Sequence, residues 1–160
     1  MLLKTENMRF INKKWILQNA EKFENSFFKR NPPDSVFKLK KAVVGIAGAG
    51  GLGSTVLQLL VRGGFGTIYI YDYAVVDLPD LNRQLLYNLS HVGVPKVEAA
   101  CSVLLGINPD ASIIPRQEKI SRESVLPEVD FVIDCLDTFE DRFSLDEVVF
   151  KRGVPLIHGG

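Results

Sequence analysis

The sequence is poor in the residues that staple, anchor or strongly charge a protein. It holds two cysteines, Cys101 and Cys135, and no Cys-x-x-Cys pair, so no zinc site can be read from it. Cys101 falls in a helical pattern and Cys135 at a strand end, which reads as two buried thiols rather than a disulfide. No apolar run approaches the roughly 20 residues of a membrane helix, and no signal-peptide pattern opens the chain. The expected compartment is therefore the cytoplasm, with no membrane partner. There is no charge excess either: 19 Lys/Arg balance 19 Asp/Glu, which argues against a general nucleic-acid binder. Internal repeats, low-complexity tracts and a recognisable Ser/His/Asp set are missing too.

What remains is ordinary globular material: 160 residues, 46% hydrophobic, enough for one domain with a real core. The charge is unevenly placed. Residues 1–41 carry ten Lys/Arg against four Asp/Glu, and residues 42–160 carry nine against fifteen. The front segment, 1–38, reads as an appendage. Ile11, Trp15, Ile16, Phe23 and Phe27 recur at helical spacing, and Asn31-Pro32-Pro33-Asp34 reads as a breaker and linker. Its basic surplus suits a solvated amphipathic helix or an acidic partner.

From residue 39 onward strand and helix patterns alternate. Strands are expected at 42–47, 67–72, 111–115, 130–134 and 155–158, and helices at 52–62, 96–105 and 141–152, the last capped by Gly153. Phe131-Val132-Ile133 is continuously apolar, as a doubly covered strand should be. Alternation of this kind predicts an α/β fold, a Rossmann-like open parallel sheet with flanking helices, plus a short N-terminal helical segment.

Ligands of such sheets bind outside the carboxyl ends of the strands. Gly48-Ala49-Gly50-Gly51-Leu52-Gly53 follows the first strand and opens a helix. Glycines there let the backbone approach a phosphate, and the helix end offers free N–H groups; the bland reading is a tight structural turn. Asp72 closes the second strand, 22 residues after Gly50, where a ribose-binding acid belongs. Asp134 and Asp137 close the fourth strand and His158 the fifth. Residues 73–95 are too long for a routine connection, so they are functional or disordered. This segment holds Arg83, and Lys96 follows it; both cations suit nucleotide phosphates. Lys96 also fits a plain first-turn lysine, Asp137 fits either Mg²⁺ or a helix N-cap, and His158 fits a structural role. Asp77 and Asp80 are placed to pair with Arg83.

Taken in order, the glycine turn with Ser54, Asp72, Leu81-Asn82-Arg83-Gln84, Val92-Gly93-Val94-Pro95-Lys96-Val97-Glu98, Asp134-Cys135-Leu136-Asp137 and Pro155-Leu156-Ile157-His158-Gly159 resemble the ThiF/MoeB/HesA family, relatives of the ubiquitin-activating enzymes. The resemblance covers about residues 39–160, a ThiF-like nucleotide-binding domain. It implies ATP-dependent adenylation of the C-terminal glycine carboxylate of a ubiquitin-like or sulfur-carrier protein ending in Gly-Gly, with release of pyrophosphate. By position, Gly48, Gly50, Gly51, Gly53 and Asp72 would hold adenosine. Asn82, Arg83, Gln84 and Lys96 belong to the phosphate-binding run, Asp137 would be the essential acid near Mg²⁺, and the protein would be a homodimer. A related dehydratase branch activates a carboxylate on modified tRNA.

The sequence departs from the family pattern in several places. Ala74 stands where a second aspartate is usual, Pro79-Asp80 where Ser-Asn is usual, and Leu136-Asp137-Thr138 where Thr-Asp-Asn is usual. An acid at position 80 would repel a triphosphate unless paired or bridged by a metal. The given sequence stops at Gly160, where family members run on, so it is expected to be truncated relative to them. Two rival readings stay open: a nicotinamide-dependent oxidoreductase, which has no need of Arg83, Lys96 or Asp137, and a non-catalytic binding homologue.

Overall fold

The computed structural model describes residues 33–159. The expected helices built on Ile11, Trp15, Ile16, Phe23 and Phe27 lie outside the described residues, as does Gly160. The first described element is a helix, α1 (Pro33–Lys41), which runs across the boundary expected at 38/39. Proline breaks a helix interior but suits its first turn, where the missing N–H has no partner to lose, so Pro33 starts a helix here rather than marking a linker.

Five strands follow: β1 (Val43–Ala47), β2 (Thr67–Tyr71), β3 (Ser112–Arg116), β4 (Phe131–Asp134) and β5 (Leu156–His158). All pair in parallel, in the order β3-β2-β1-β4-β5. Central β1 sets the register, with Ile46 opposite Ile70 on one side and Ile133 on the other. Three helices make the crossovers: α2 (Gly51–Gly63), α3 (Lys96–Ile107) and α4 (Phe139–Arg152). The chain winds one way from β1 through β2 to β3, then returns to β4 on the other flank of β1. The resulting switch point between β1 and β4 is where such sheets bind ligands.

Two apolar layers cover the sheet. Leu57, Val61, Val97, Ala100 and Leu104, from α2 and α3, pack on Val44, Ile46, Ile68 and Ile70. Leu145, Val148 and Val149, from α4, pack on Ala47, Tyr71 and Val132. These strands carry β-branched residues on both faces because both faces are covered. At its C-terminus α4 ends as expected, with Gly153 in the left-handed region and its N–H bonded to the Val149 and Phe150 carbonyls. At its N-terminus the cap is Thr138, whose Oγ1 accepts from the Asp141 N–H at 3.3 Å. The capping reading of Asp137 is thereby set aside. Among the described residues no helix is long and apolar enough to cross a membrane.

Candidate functional site

Beyond the carboxyl ends of β1, β2 and β4 lies a cleft of about 510 Å³. Its floor is the turn from β1 to α2. Gly48 has φ +94°, and a Cβ there would sit 2.6 Å from the Cys135 carbonyl oxygen, so no other residue fits. Its N–H donates to the Tyr71 carbonyl at 2.8 Å, tying the turn to β2. The α2 N-cap, Gly50, brings no side-chain cap, which leaves the first-turn amides of α2 for an anion. Gly48, Gly50 and Gly51 line the cleft. Gly53 is buried and does not line it. A Cβ on Gly53 would lie 1.9 Å from the Gly48 carbonyl oxygen, so this glycine lets α2 press against the turn.

Asp72 braces that turn. Its Oδ2 accepts the Ala49 N–H at 2.9 Å and its Oδ1 the Ala74 N–H at 2.8 Å. Each carboxylate oxygen keeps a second lone pair, so Asp72 can still accept from ribose hydroxyls.

Residues 73–95 form an ordered wall rather than a disordered loop. Val75 bridges to Pro95, Val76 N–H donates to Val94 O at 2.8 Å, and Lys96 N–H donates to Ala74 O at 2.9 Å. Two 3₁₀ turns, Leu78–Asn82 and Leu89–His91, carry the chain between. The Tyr87 hydroxyl, buried, donates to the Ala49 carbonyl at 2.8 Å and so locks this wall onto the glycine turn. Burial pushes the Tyr87 pKa well above its ordinary value.

On this wall the structure brings Arg83, Gln84 and Lys96 together around Asp80. Lys96 Nζ lies 3.1 Å from Asp80 Oδ2, Gln84 Nε2 donates to Asp80 Oδ1 at 2.7 Å, and Arg83 approaches that oxygen at 3.7 Å. Burial alone would raise the Asp80 pKa. The Asp77 N–H, the Lys96 ammonium and the Arg83 guanidinium outweigh it and hold the carboxyl below its ordinary value. Lys96 is thus no free first-turn lysine; its side chain is only 11% exposed. Arg83 is 59% exposed and ready to turn, with Nη1 donating to Pro79 O and Asn82 Oδ1. Asn82 itself is exposed and lies off the cleft wall, so it reaches the site only through Arg83. The pairing expected for Asp77 with Arg83 is not made; Asp77 caps the first 3₁₀ turn.

The opposite wall comes from the loop after β4 and the first turn of α4, and neither Asp134 nor His158 lines it. Asp137 is exposed there and has no hydrogen-bond or ion-pair partner among the described residues. Asp134, 1% exposed, accepts the Leu136 N–H at 2.9 Å and holds His158 Nδ1 at 2.7 Å. Arg142 lies 3.0 Å from His158 Nε2 through Nη1 and donates from Nε to Leu136 O at 2.8 Å. An arginine can only donate, so this geometry has Nε2 accepting from Arg142 and Nδ1–H donating to Asp134. These contacts suit the structural role open to His158 and fix Asp134 at the sheet edge between β4 and β5. Arg142 was missed in the sequence. Its one signal is a cation in the first turns of a helix, where the dipole disfavours it. Both cysteines are free thiols, but only Cys135, on the cleft wall, is buried; Cys101, expected to be buried, is half-buried. Burial pushes Cys135 up to about 11, so it is no ready nucleophile.

A doubly wound parallel sheet with a glycine turn, a strand-end aspartate and cations over the cleft defines a Rossmann-like α/β protein. The comparisons with known proteins narrow this class. The ThiF family profile matches residues 24–160, so the chain belongs to the ThiF family. It is 35% identical over 130 residues to the SAMP-activating enzyme E1 of Haloferax volcanii, covering 79% of this chain and 48% of that protein. It is 37% identical over 124 residues to the molybdopterin-synthase adenylyltransferase of Escherichia coli, covering 76% and 50%. The chain therefore spans about half the length of these relatives. Among solved structures it resembles E. coli tRNA N6-threonylcarbamoyladenosine dehydratase, TcdA, in complex with ATP, with TM-score 0.78, 23% identity and coverage of 94% of this chain and 62% of that one. It also resembles E. coli MccB with AMPCPP and MccA, with TM-score 0.78, 26% identity and coverage of 95% and 45%. The Rossmann-like fold expected from the sequence is the one found.

Proposed function

We propose that this chain is the nucleotide-binding part of an ATP-dependent adenylyltransferase that activates the C-terminal glycine carboxylate of a small ubiquitin-like or sulfur-carrier protein ending in Gly-Gly. The observation that carries this reading is the placing of Arg83 and Lys96 over the glycine turn, across the cleft from the unpartnered Asp137. A hydride-transferring enzyme has no use for that arrangement, whereas neutralising phosphate charge is the main catalytic work in nucleotidyl transfer.

In this reading the glycine turn and Asp72 hold the adenosine end. A carboxylate oxygen of the carrier attacks the α-phosphorus, the bond from that phosphorus to the bridging oxygen breaks, and pyrophosphate leaves with the bond's electron pair. Arg83 and Lys96 offset the charge that builds on the phosphate oxygens. Asp137 fits Mg²⁺, a cation usually held by one or two carboxylates and completed by substrate phosphates. Among the described residues no three His, Cys, Asp or Glu side chains gather to make a self-sufficient metal site, which agrees with a cation that arrives with its nucleotide. When bound, Mg²⁺ supplies charge neutralisation to the leaving pyrophosphate. The protein acts as a homodimer in the cytoplasm, without membrane or nucleic-acid partners.

The test is calorimetry with Mg²⁺, titrating ATP and NAD into the full chain and into Arg83→Ala and Asp137→Ala. Binding of ATP but not NAD, weakened about tenfold or more by either substitution, is the expected result. A folded protein that binds no ATP, or binds it equally well in both variants, overturns the reading.

A further inference from the structure

The cleft proposed to take a triphosphate is not electropositive. Five carboxylates line it against four cations. Two of those cations are already engaged: Lys119 sits 2.9 Å from Asp141, and Arg142 is tied to Leu136 O and His158. The other two, Arg83 and Lys96, share the single anion Asp80. Asp80 therefore occupies Lys96, the place on the cleft wall where a phosphate would go. Its grip is firm. Oδ2 accepts the Asp77 N–H at 3.0 Å and Oδ1 accepts Gln84 Nε2 at 2.7 Å, so the carboxylate cannot swing aside when a ligand arrives.

Resting on the nucleotide reading above, we propose that Asp80 is a fixed internal counter-ion that determines specificity: it makes the site reject a bare polyphosphate and accept one accompanied by a divalent cation. A phosphate that approaches Lys96 also approaches the Asp80 carboxylate. Lys96 is nearly neutralised by its partner, and the remaining repulsion falls on the ligand. A cation bound to the phosphate oxygens removes that repulsion and turns Asp80 from a barrier into an attractive neighbour. An uncharged amide at position 80 keeps the shape and loses the selectivity.

The experiment is calorimetric titration of ATP in the presence of Mg²⁺ and, separately, in EDTA, into the native chain, Asp80→Asn and the control Asp77→Asn. Asp77 lies off the cleft wall and meets Asp80 through its backbone N–H and its turn cap, both of which asparagine keeps, so its variant changes the net charge equally while leaving the Asp80 carboxylate in place. The native chain and Asp77→Asn should bind metal-free ATP far more weakly than the Mg²⁺ complex. Asp80→Asn should narrow that gap by about tenfold, the part of a unit-charge interaction that survives solvent and salt screening. Asp80→Ser, which keeps an acceptor for the 3₁₀ turn, replaces Asp80→Asn if a thermal melt shows the latter unfolded. An unchanged gap in the charge-removing variant, or the same narrowing in Asp77→Asn, overturns the inference while leaving the nucleotide reading in place. Absence of ATP binding in every arm overturns both.

Discussion

Replacing Gly53 with alanine should destabilise this protein, whereas the same change at Gly106 should stabilise it. Both glycines are helical, in α2 and α3 respectively, and alanine is the better helix former by up to about 1 kcal/mol. Propensity alone therefore predicts a gain at both sites. At Gly106 nothing lies within 4 Å of an added Cβ, so the gain should appear, reduced to about 0.5 kcal/mol this close to the helix end. At Gly53 the added Cβ would lie 1.9 Å from the Gly48 carbonyl oxygen, about 1.5 Å short of ordinary contact. The obstacle is backbone and cannot rotate away, so either α2 or the glycine turn must shift. Overpacking of this kind costs about 3 kcal/mol, the upper end of its usual range, which leaves a net loss of about 2 kcal/mol after the propensity gain. For a domain of this size that is a drop of about 6 °C in melting temperature, against a rise of about 1–2 °C for Gly106→Ala. The turn that moves also carries the Ala49 amide held by Asp72, so ATP affinity should fall with stability in Gly53→Ala and stay native in Gly106→Ala. Thermal denaturation and ATP calorimetry on both variants decide the matter. A Gly53→Ala protein that melts at or above the native temperature would refute the close-packing argument.

Asp72→Asn should cost about 1–3 kcal/mol, because an amide cannot accept from both Ala49 and Ala74 and sets its own N–H against one of theirs. Urea denaturation reads that loss, and a variant as stable as the native chain would show that the brace is unimportant. Stability should also depend on pH through Asp80. Its folded pKa lies below the ordinary 3.8, so its contribution is fully present above that value and is lost as pH falls through the lower folded pKa. Melting temperatures of the native chain and Asp80→Asn should therefore differ most near neutral pH and converge on acidification below 3.8; a difference that widens in acid would contradict the sign.

The fold was legible because the sequence repeats its evidence. The strands are short, largely apolar runs, α2 and α3 are set off from them by glycine or proline, and parallel pairing follows from the crossovers. Boundaries moved by a residue or two for local reasons, as when α4 began at Phe139 once Thr138 took the cap. The exception was α1, where a Pro-Pro pair looked like an interruption and its second proline was a helix start. Strand ends were legible as well, and with them Asp72, Asp134, Asp137 and His158, because the polar edge of a parallel sheet can be read from where apolar runs stop.

Pairing was not legible. Sequence position puts Lys96 on a first helical turn and Asp80 sixteen residues earlier, and nothing in the spacing says that a 3₁₀ turn will bring their charges to 3.1 Å. The same holds for Gly53, which shares a motif with Gly48, Gly50 and Gly51 yet serves packing rather than the cleft. A motif records which residues are needed together; it does not say which of them touches the ligand and which holds the others in place. Arg142 makes the point from the other direction. Outside any motif, it joins the loop after β4 to the end of β5 and so fixes the strand of chain that presents Asp137. The wall opposite the cations is therefore built by an arginine whose only sequence mark is that it sits where a helix dipole would rather have an acid.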